Sequence, residues 1–186
     1  MVPHNRETME GIRRILLIGY RATGKSTVGR LLAEALGWHF LDMDQEIKGR
    51  IQMDISRFVE ERGWEAFRTE EKRLLREILD QRDQGPMVVA TGGGVVLHQD
   101  LLSKLPQDTL VVWLKATPET IEARMAHDKG TSVNRPPLTQ MGSAISEIRE
   151  VLREREPLYS RFSHVTIQCD TLQPNEIKEK ILSHAR

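Results

Sequence analysis

The chain has 186 residues, enough for one domain with a sizeable core and small insertions. Lys plus Arg and Asp plus Glu each number 27, so the net charge is zero. That argues against a general nucleic-acid binder or a protein held on anionic membranes, either of which would carry a basic excess. The single cysteine, Cys169, rules out an internal disulfide and suits a reducing compartment, here expected to be the cytoplasm.

Residues 1 to about 12 are polar, lack the apolar core of a secretory signal, and are expected to form a poorly ordered tail before one domain over 13–186. No apolar run approaches the roughly 18 residues of a membrane span. The histidines are scattered, without metal-ligand spacing.

The apolar run Ile15-Leu16-Leu17-Ile18 predicts a buried strand. Gly19-Tyr20-Arg21-Ala22-Thr23-Gly24-Lys25-Ser26-Thr27 follows, and then Val28, Leu31, Leu32 and Ala35 at helical spacing. Strand, glycine loop and helix are the context that a G-x-x-x-x-G-K-[ST] match requires. Gly19 and Gly24 let backbone N–H groups converge on phosphate, and the helix adds its positive end. Lys25 brings a point charge to the β- and γ-phosphates, and the Ser26 hydroxyl is placed for Mg²⁺. The residues therefore point to ATP with Mg²⁺.

Trp38 to Leu41 is a short strand candidate, ending in Asp42-Met43-Asp44 on an expected loop. Beside a phosphate loop the two carboxylates read as a metal contact and a hydroxyl contact; an aspartate cap on the next helix is the plainer alternative. Helical pattern follows to about Arg62, with breaks expected near Gly49 and Gly63. A longer helix is predicted over 65–81, with Glu71 on its apolar stripe and Arg68 three residues earlier, able to pair with it.

Met87 to Ala90 is a fully apolar strand, followed at once by Thr91 and the glycines Gly92, Gly93 and Gly94. Glycines at the carboxyl edge of a parallel sheet allow close approach to a ligand. Strand pattern returns at 109–114, and Pro118 opens a helix. The unpatterned Gly/Pro segment from 128 to 140, with Arg135 at its centre, reads as a lid. The helix from Ser143 is expected to end at Pro157, and Arg155 continues its inward face, where an arginine needs an anion. A strand at 165–168, a turn ending at Gln173-Pro174 and a helix from about Pro174 to His184 complete the chain. Alternating strands and helices give the class α/β with a five-stranded parallel sheet.

In order, the phosphate loop, Asp42-x-Asp44, Phe67-Arg68-x-x-Glu71, the glycine triplet, Arg135-Pro136 and Arg155-x-Pro157-Leu158-Tyr159 make the chain resemble shikimate kinase, over about Ile12 to Ile181. The resemblance implies a P-loop fold with strand order 2-3-1-4-5, a shikimate-binding insertion at about 43–72 and a lid at about 127–140. It implies γ-phosphoryl transfer from ATP to the 3-hydroxyl of shikimate. Lys25, Asp44 and Arg135 would then be catalytic, with Asp44 on the reacting hydroxyl and Arg135 on the phosphates. Arg68 and Arg155 would hold the acceptor carboxylate, and Gly92, Gly93 and Gly94 the ring hydroxyls. Ser26 and Asp42 would serve Mg²⁺. Gly19, Ala22, Thr23, Gly24 and Thr27 would cradle the nucleotide, with Gln173 and Pro174 at its adenine. A monomer acting on shikimate and ATP, without nucleic acid or membrane, is the expectation. Ala22 stands where the family commonly has glycine, which restricts the loop, and Pro136-Pro137 stiffens the lid.

A gluconate-type kinase would share the loop and the arginine pair, but the triplet and the Arg155-to-Tyr159 run favour shikimate. A guanine-specific switch would normally carry Asn-Lys-x-Asp, which is absent.

Overall fold

The computed structural model describes residues 11–81, 85–127 and 143–184. Five strands, β1 (Arg14–Ile18), β2 (His39–Asp42), β3 (Met87–Ala90), β4 (Thr109–Lys115) and β5 (Val165–Gln168), form one sheet in the order β2-β3-β1-β4-β5. Every pairing is parallel, and the order is the expected one. β1 and β3 are buried at every residue, which is why residues 15–18 and Met87–Ala90 read as apolar runs; the remaining residue of β1, Arg14, pairs with Asp108 and the Gln81 carbonyl. Edge strands β2 and β5 are more open.

Side chains alternate across the sheet. Ile15 and Leu17 join Val88 and Val112 against α1 (Lys25–Leu36) and α7 (Pro174–His184). Leu16 and Ile18 join Val89 and Val111 against α2 (Met43–Ile51), α3 (Ile55–Asp80) and α6 (Ala144–Phe162). Leu17 lies beside both Ala90 and Val112, so β1 and β3 end level with each other. The phosphate loop and the glycine triplet therefore leave the sheet side by side. Among the described residues no helix is long and apolar enough to cross a membrane.

The helices differ from expectation at four places. Gly49 does not interrupt α2; the helix stops at Gln52, whose left-handed φ of 53° ends it. Asp42 and Asp44 are not on a loop. Asp42 ends β2 and caps α2, taking hydrogen bonds from the backbone N–H groups of Asp44 and Gln45, and Asp44 lies in the first turn. The break at Gly63 is real but is a kink (φ 82°, ψ 165°) inside α3 rather than a gap. Finally, α6 runs through Pro157 to Phe162. Proline inside a helix costs about 3 kcal/mol. Here it sits on the exposed face, where the Arg153 carbonyl that loses its partner can meet water. Continuing the helix buries Tyr159 and Phe162, roughly 1.5–3 kcal/mol each.

Between β3 and β4 the chain makes a 3₁₀ turn (Val95–Leu97) and a short helix α4 (Gln99–Leu102), neither marked by periodicity. α5 spans Pro118–His127. Cys169 follows β5; it is fully buried, and burial pushes its thiol up to about 11. The lid expectation, with Arg135 and Pro136-Pro137, lies outside the described residues except for His127, as does the tail up to residue 10.

Candidate active site

The phosphate loop is shaped by its contacts with the sheet. A Cβ on Gly19 would lie 2.4 Å from the Leu114 carbonyl oxygen, so only glycine fits there. Ala22 adopts φ 60°, a left-handed conformation that costs a non-glycine residue about 1–2 kcal/mol, so the expected restriction takes the form of local strain. Thr23 Oγ1 donates to the Tyr20 carbonyl at 2.8 Å. Gly24 is the N-cap of α1 and offers no side-chain acceptor, which leaves first-turn N–H groups open to an anion. Lys25 is buried, and its Nζ donates to the carbonyls of Gly19 and Tyr20 at 2.8 and 2.7 Å.

Ser26 and Asp42 meet across the loop. Ser26 Oγ donates to Asp42 Oδ2 at 2.5 Å, while Asp42 Oδ1 is occupied by the cap on α2. A hydroxyl and a carboxylate oxygen at one point beside a phosphate loop form the hard-oxygen pair that Mg²⁺ takes when phosphates and water complete its shell. The donor set therefore fits that ion.

A second wall gathers residues from five parts of the chain. Tyr20, Arg21, Asp44, Trp64, Phe67, Arg68, Glu71, Arg155 and the glycine triplet line one cleft. Its free space is about 20 Å³, room for on the order of one water. An entering ligand must therefore move a side chain. Arg68 forms part of the wall: its Nη1 donates to Glu71 Oε2 at 2.6 Å, and its guanidinium rests on Trp64 and Phe67. A Cβ on Gly94 would lie 2.0 Å from Arg68 Nη1, and one on Gly92 would lie 2.3 Å from Glu71 Oε1 and 3.2 Å from Asp44 Oδ1. Two of the three glycines are thus needed for close approach by Arg68 and Glu71 of the protein itself. The third offers its carbonyl: Gly93 O accepts from Arg155 Nη1 at 3.1 Å and from the Tyr159 hydroxyl at 2.5 Å. Arg155 is indeed inward, but its partner here is this carbonyl rather than a side-chain anion.

Glu71 has no solvent exposure. Burial pushes its carboxyl up, but the hydrogen bond from His98 and the Arg68 charge outweigh it and hold it below the ordinary range. It is therefore a buried anion.

On the opposite side of the loop, Ala22, Thr23, Gly24 and Thr27 face Gln173 and Pro174 across a cavity of about 320 Å³. The turn that carries Gln173 is held by Asp170, which accepts from both the N–H and the hydroxyl of Thr117. Arg124 lines the same cavity and donates to the Cys169 carbonyl at 2.6 Å.

The expected residues thus sort into three connected places, apart from Arg135, which lies outside the described residues. Several neighbours carried no sequence signal. Arg21 donates to Glu147 at 2.5 Å from a buried position, and its partner is 126 residues away. Tyr20 fills an unspecified position of the phosphate loop, and Trp64, His98 and Arg124 stand singly, outside any motif read from the sequence. The glutamate of the Arg68–Glu71 pair was detectable because a charge on an apolar stripe needs a partner.

Comparison with known proteins shows the family. A family model described as shikimate kinase matches residues 21–186. A shikimate kinase of Nitratidesulfovibrio vulgaris is 42% identical over 158 residues, covering 84% of this chain and 87% of that protein. The solved structure of shikimate kinase from Acinetobacter baumannii in complex with shikimate superposes with a TM-score of 0.83 at 34% identity, covering 93% of this chain and 92% of that one. A gluconokinase from Sinorhizobium meliloti 1021, at 19% identity and a TM-score of 0.56, shares the fold alone. With the phosphate loop and the glycine triplet leaving one sheet edge and this likeness over nearly the whole length, the chain belongs to the shikimate kinase family.

Proposed function

We propose that this enzyme transfers the γ-phosphoryl of ATP to the 3-hydroxyl of shikimate, giving shikimate 3-phosphate and ADP on the route to chorismate and the aromatic amino acids. The observation that carries this reading is the cleft in which Asp44, Arg68, Arg155 and the glycine triplet meet residues of the phosphate loop. Two arginines from different elements suit a small anionic acceptor, and a carboxylate between them and the loop suits its hydroxyl.

The residues take these roles. Phosphate binding draws Lys25 Nζ from the loop carbonyls to the β- and γ-phosphates, beside the donors at the start of α1. Gly19, Ala22, Thr23, Gly24 and Thr27 cradle the nucleotide, with Gln173 and Pro174 at the base. Ser26 and Asp42 would hold Mg²⁺, which would supply neutralisation of phosphate charge. Arg68 and Arg155 turn to the acceptor carboxylate, and Gly92, Gly93 and Gly94 meet the ring. Asp44 orients the 3-hydroxyl and accepts its proton as the new O–P bond forms and the bond to ADP breaks. Arg135 reaches the phosphates from a lid at about 127–140, and the insertion at about 43–72 carries the acceptor wall. Such transfer needs positioning and charge neutralisation more than covalent chemistry. We read the protein as a cytoplasmic monomer, to be checked by light scattering.

The test is ADP release by purified protein with ATP and Mg²⁺, with shikimate or gluconate added. Release that depends on shikimate is expected. Release with gluconate alone, or with neither, overturns the reading.

A further inference from the structure

We propose that His98 is a positioning residue for the acceptor. It occupies the buried carboxylate of Glu71 and so leaves the charge of Arg68 available to the incoming acid. The inference rests on the reading of the cleft as an acceptor site for shikimate.

His98 belongs to no motif of the phosphate loop or the glycine triplet. It sits in the turn between the triplet and α4, where its backbone is pinned on both sides. Its N–H donates to the Val95 carbonyl at 3.0 Å, and its own carbonyl accepts from Leu101 and Leu102 at 3.1 Å each. The side chain is buried, and Nε2 lies 3.0 Å from Glu71 Oε2. An ionised carboxylate only accepts, so this nitrogen carries the hydrogen.

The same Oε2 takes Arg68 Nη1 at 2.6 Å, while Glu71 Oε1 has no hydrogen-bond partner among the described residues. Glu71 is thus a wholly buried anion with two donors on one oxygen. One of those donors, Arg68, has a second task. A guanidinium has donors enough for two carboxylates, but its single charge cannot neutralise both. If Arg68 alone compensated Glu71, each acceptor carboxylate would compete with a buried carboxylate already in place. A donor from His98 weakens that hold without removing it. Arg68 then keeps its anchor and its aim, yet can exchange part of its bonding for the ligand. Without His98, Glu71 either draws Arg68 inward or takes up a proton and drops it. Both outcomes spoil acceptor binding, and neither touches the nucleotide.

Steady-state kinetics of the full chain test this, with shikimate and ATP varied in turn for His98→Leu, His98→Asn and His98→Gln. The glutamine amide nitrogen reaches the place of Nε2, whereas the asparagine amide stops short. For Leu and Asn we expect the KM for shikimate to rise about tenfold, with kcat within about twofold and the KM for ATP unchanged, as for loss of one hydrogen bond to a charged group. Gln should restore most of the wild-type KM. If His98→Leu fails to fold, as thermal unfolding would show, the contrast of Gln with Asn decides. An unchanged shikimate KM in Leu or Asn, a parallel fall in kcat and both affinities, or Gln behaving like Asn would overturn the proposal. Wild-type protein that releases no ADP with shikimate would overturn the acceptor reading and this proposal with it. Active wild type with an indifferent His98 would overturn this proposal alone.

Discussion

The guanidinium of Arg68 covers Gly94 so closely that a Cβ there would lie 2.0 Å from Nη1 and 2.2 Å from Cζ. The obstacle would be the tip of a long side chain, and the φ of Gly94, −98°, is open to alanine. Gly94→Ala should therefore displace Arg68 without unfolding the protein. Because Arg68 also partners the buried Glu71, stability should fall by about 1–3 kcal/mol, while the KM for shikimate rises about tenfold and that for ATP holds. Denaturant unfolding with two-substrate kinetics checks both halves; an unchanged shikimate KM would remove Arg68 from acceptor binding.

Tyr159 offers a separate test of the triplet. Its hydroxyl is one of two donors to the Gly93 carbonyl, and its ring stacks on Trp113 at 5.6 Å. Burial pushes the phenol well above its usual range, so it stays a donor across the working pH. Tyr159→Phe keeps the stack and deletes only the hydrogen bond. Arg155 still serves the carbonyl, so the loss should be about 1–2 kcal/mol in urea unfolding. A variant as stable as wild type would show that the bond contributes nothing.

The two aspartates should separate by their response to metal. Asp42 accepts a hydrogen bond from Ser26, whereas Asp44 lines the cleft beside Gly92. Asp42→Asn should weaken use of Mg·ATP and recover partly with excess Mg²⁺. Asp44→Asn should keep nucleotide affinity and lose roughly 10²–10⁴-fold in kcat, beyond rescue by metal. A Mg²⁺ titration of turnover decides, and rescue of Asp44→Asn alone would mean that the assignment is reversed.

Glu71 should leave a trace in acid. Its carboxyl titrates lower in the folded protein than in the unfolded chain. The unfolded state then binds the proton first as pH falls, so the stabilisation is full above the ordinary carboxyl value and is lost below it, through the folded value. Glu71→Gln, which removes a partner of Arg68 and His98, should cost about 3 kcal/mol at pH 7. The gap from wild type should narrow as pH drops below about 4.5. A gap that stays constant down to acid unfolding would contradict an ionised Glu71.

How much of this was legible depended on whether the cause was local. Residues 15–18 of β1 and the whole of β3 could be read directly because both of their faces are covered and these residues are apolar. The Arg68–Glu71 pair could be read because its partners are three residues apart on one helix. Arg21 with Glu147 could not, since nothing local marks a pair 126 residues apart. Pro157 misled for a physical reason: the rule that it ends a helix assumes that the lost hydrogen bond matters more than what lies beyond, and here Tyr159 and Phe162 lie beyond. The glycine triplet was expected to permit close approach to a ligand; in the structure the atoms nearest a Cβ on Gly94 and Gly92 belong to Arg68 and Glu71.

Tyr20 carries a longer consequence. Its ring is 1% exposed and packs with Ala116, Ile121, Ile148, Val151 and Leu152, so a phosphate-loop residue is part of the hydrophobic contact between α5 and α6. Residues that never meet a phosphate therefore help to set the loop's shape. Substitutions accumulating in these two helices would retune nucleotide affinity while every ligand-facing side chain stayed the same. Lineages of such an enzyme could diverge in their response to cellular ATP through a patch that looks like ordinary core.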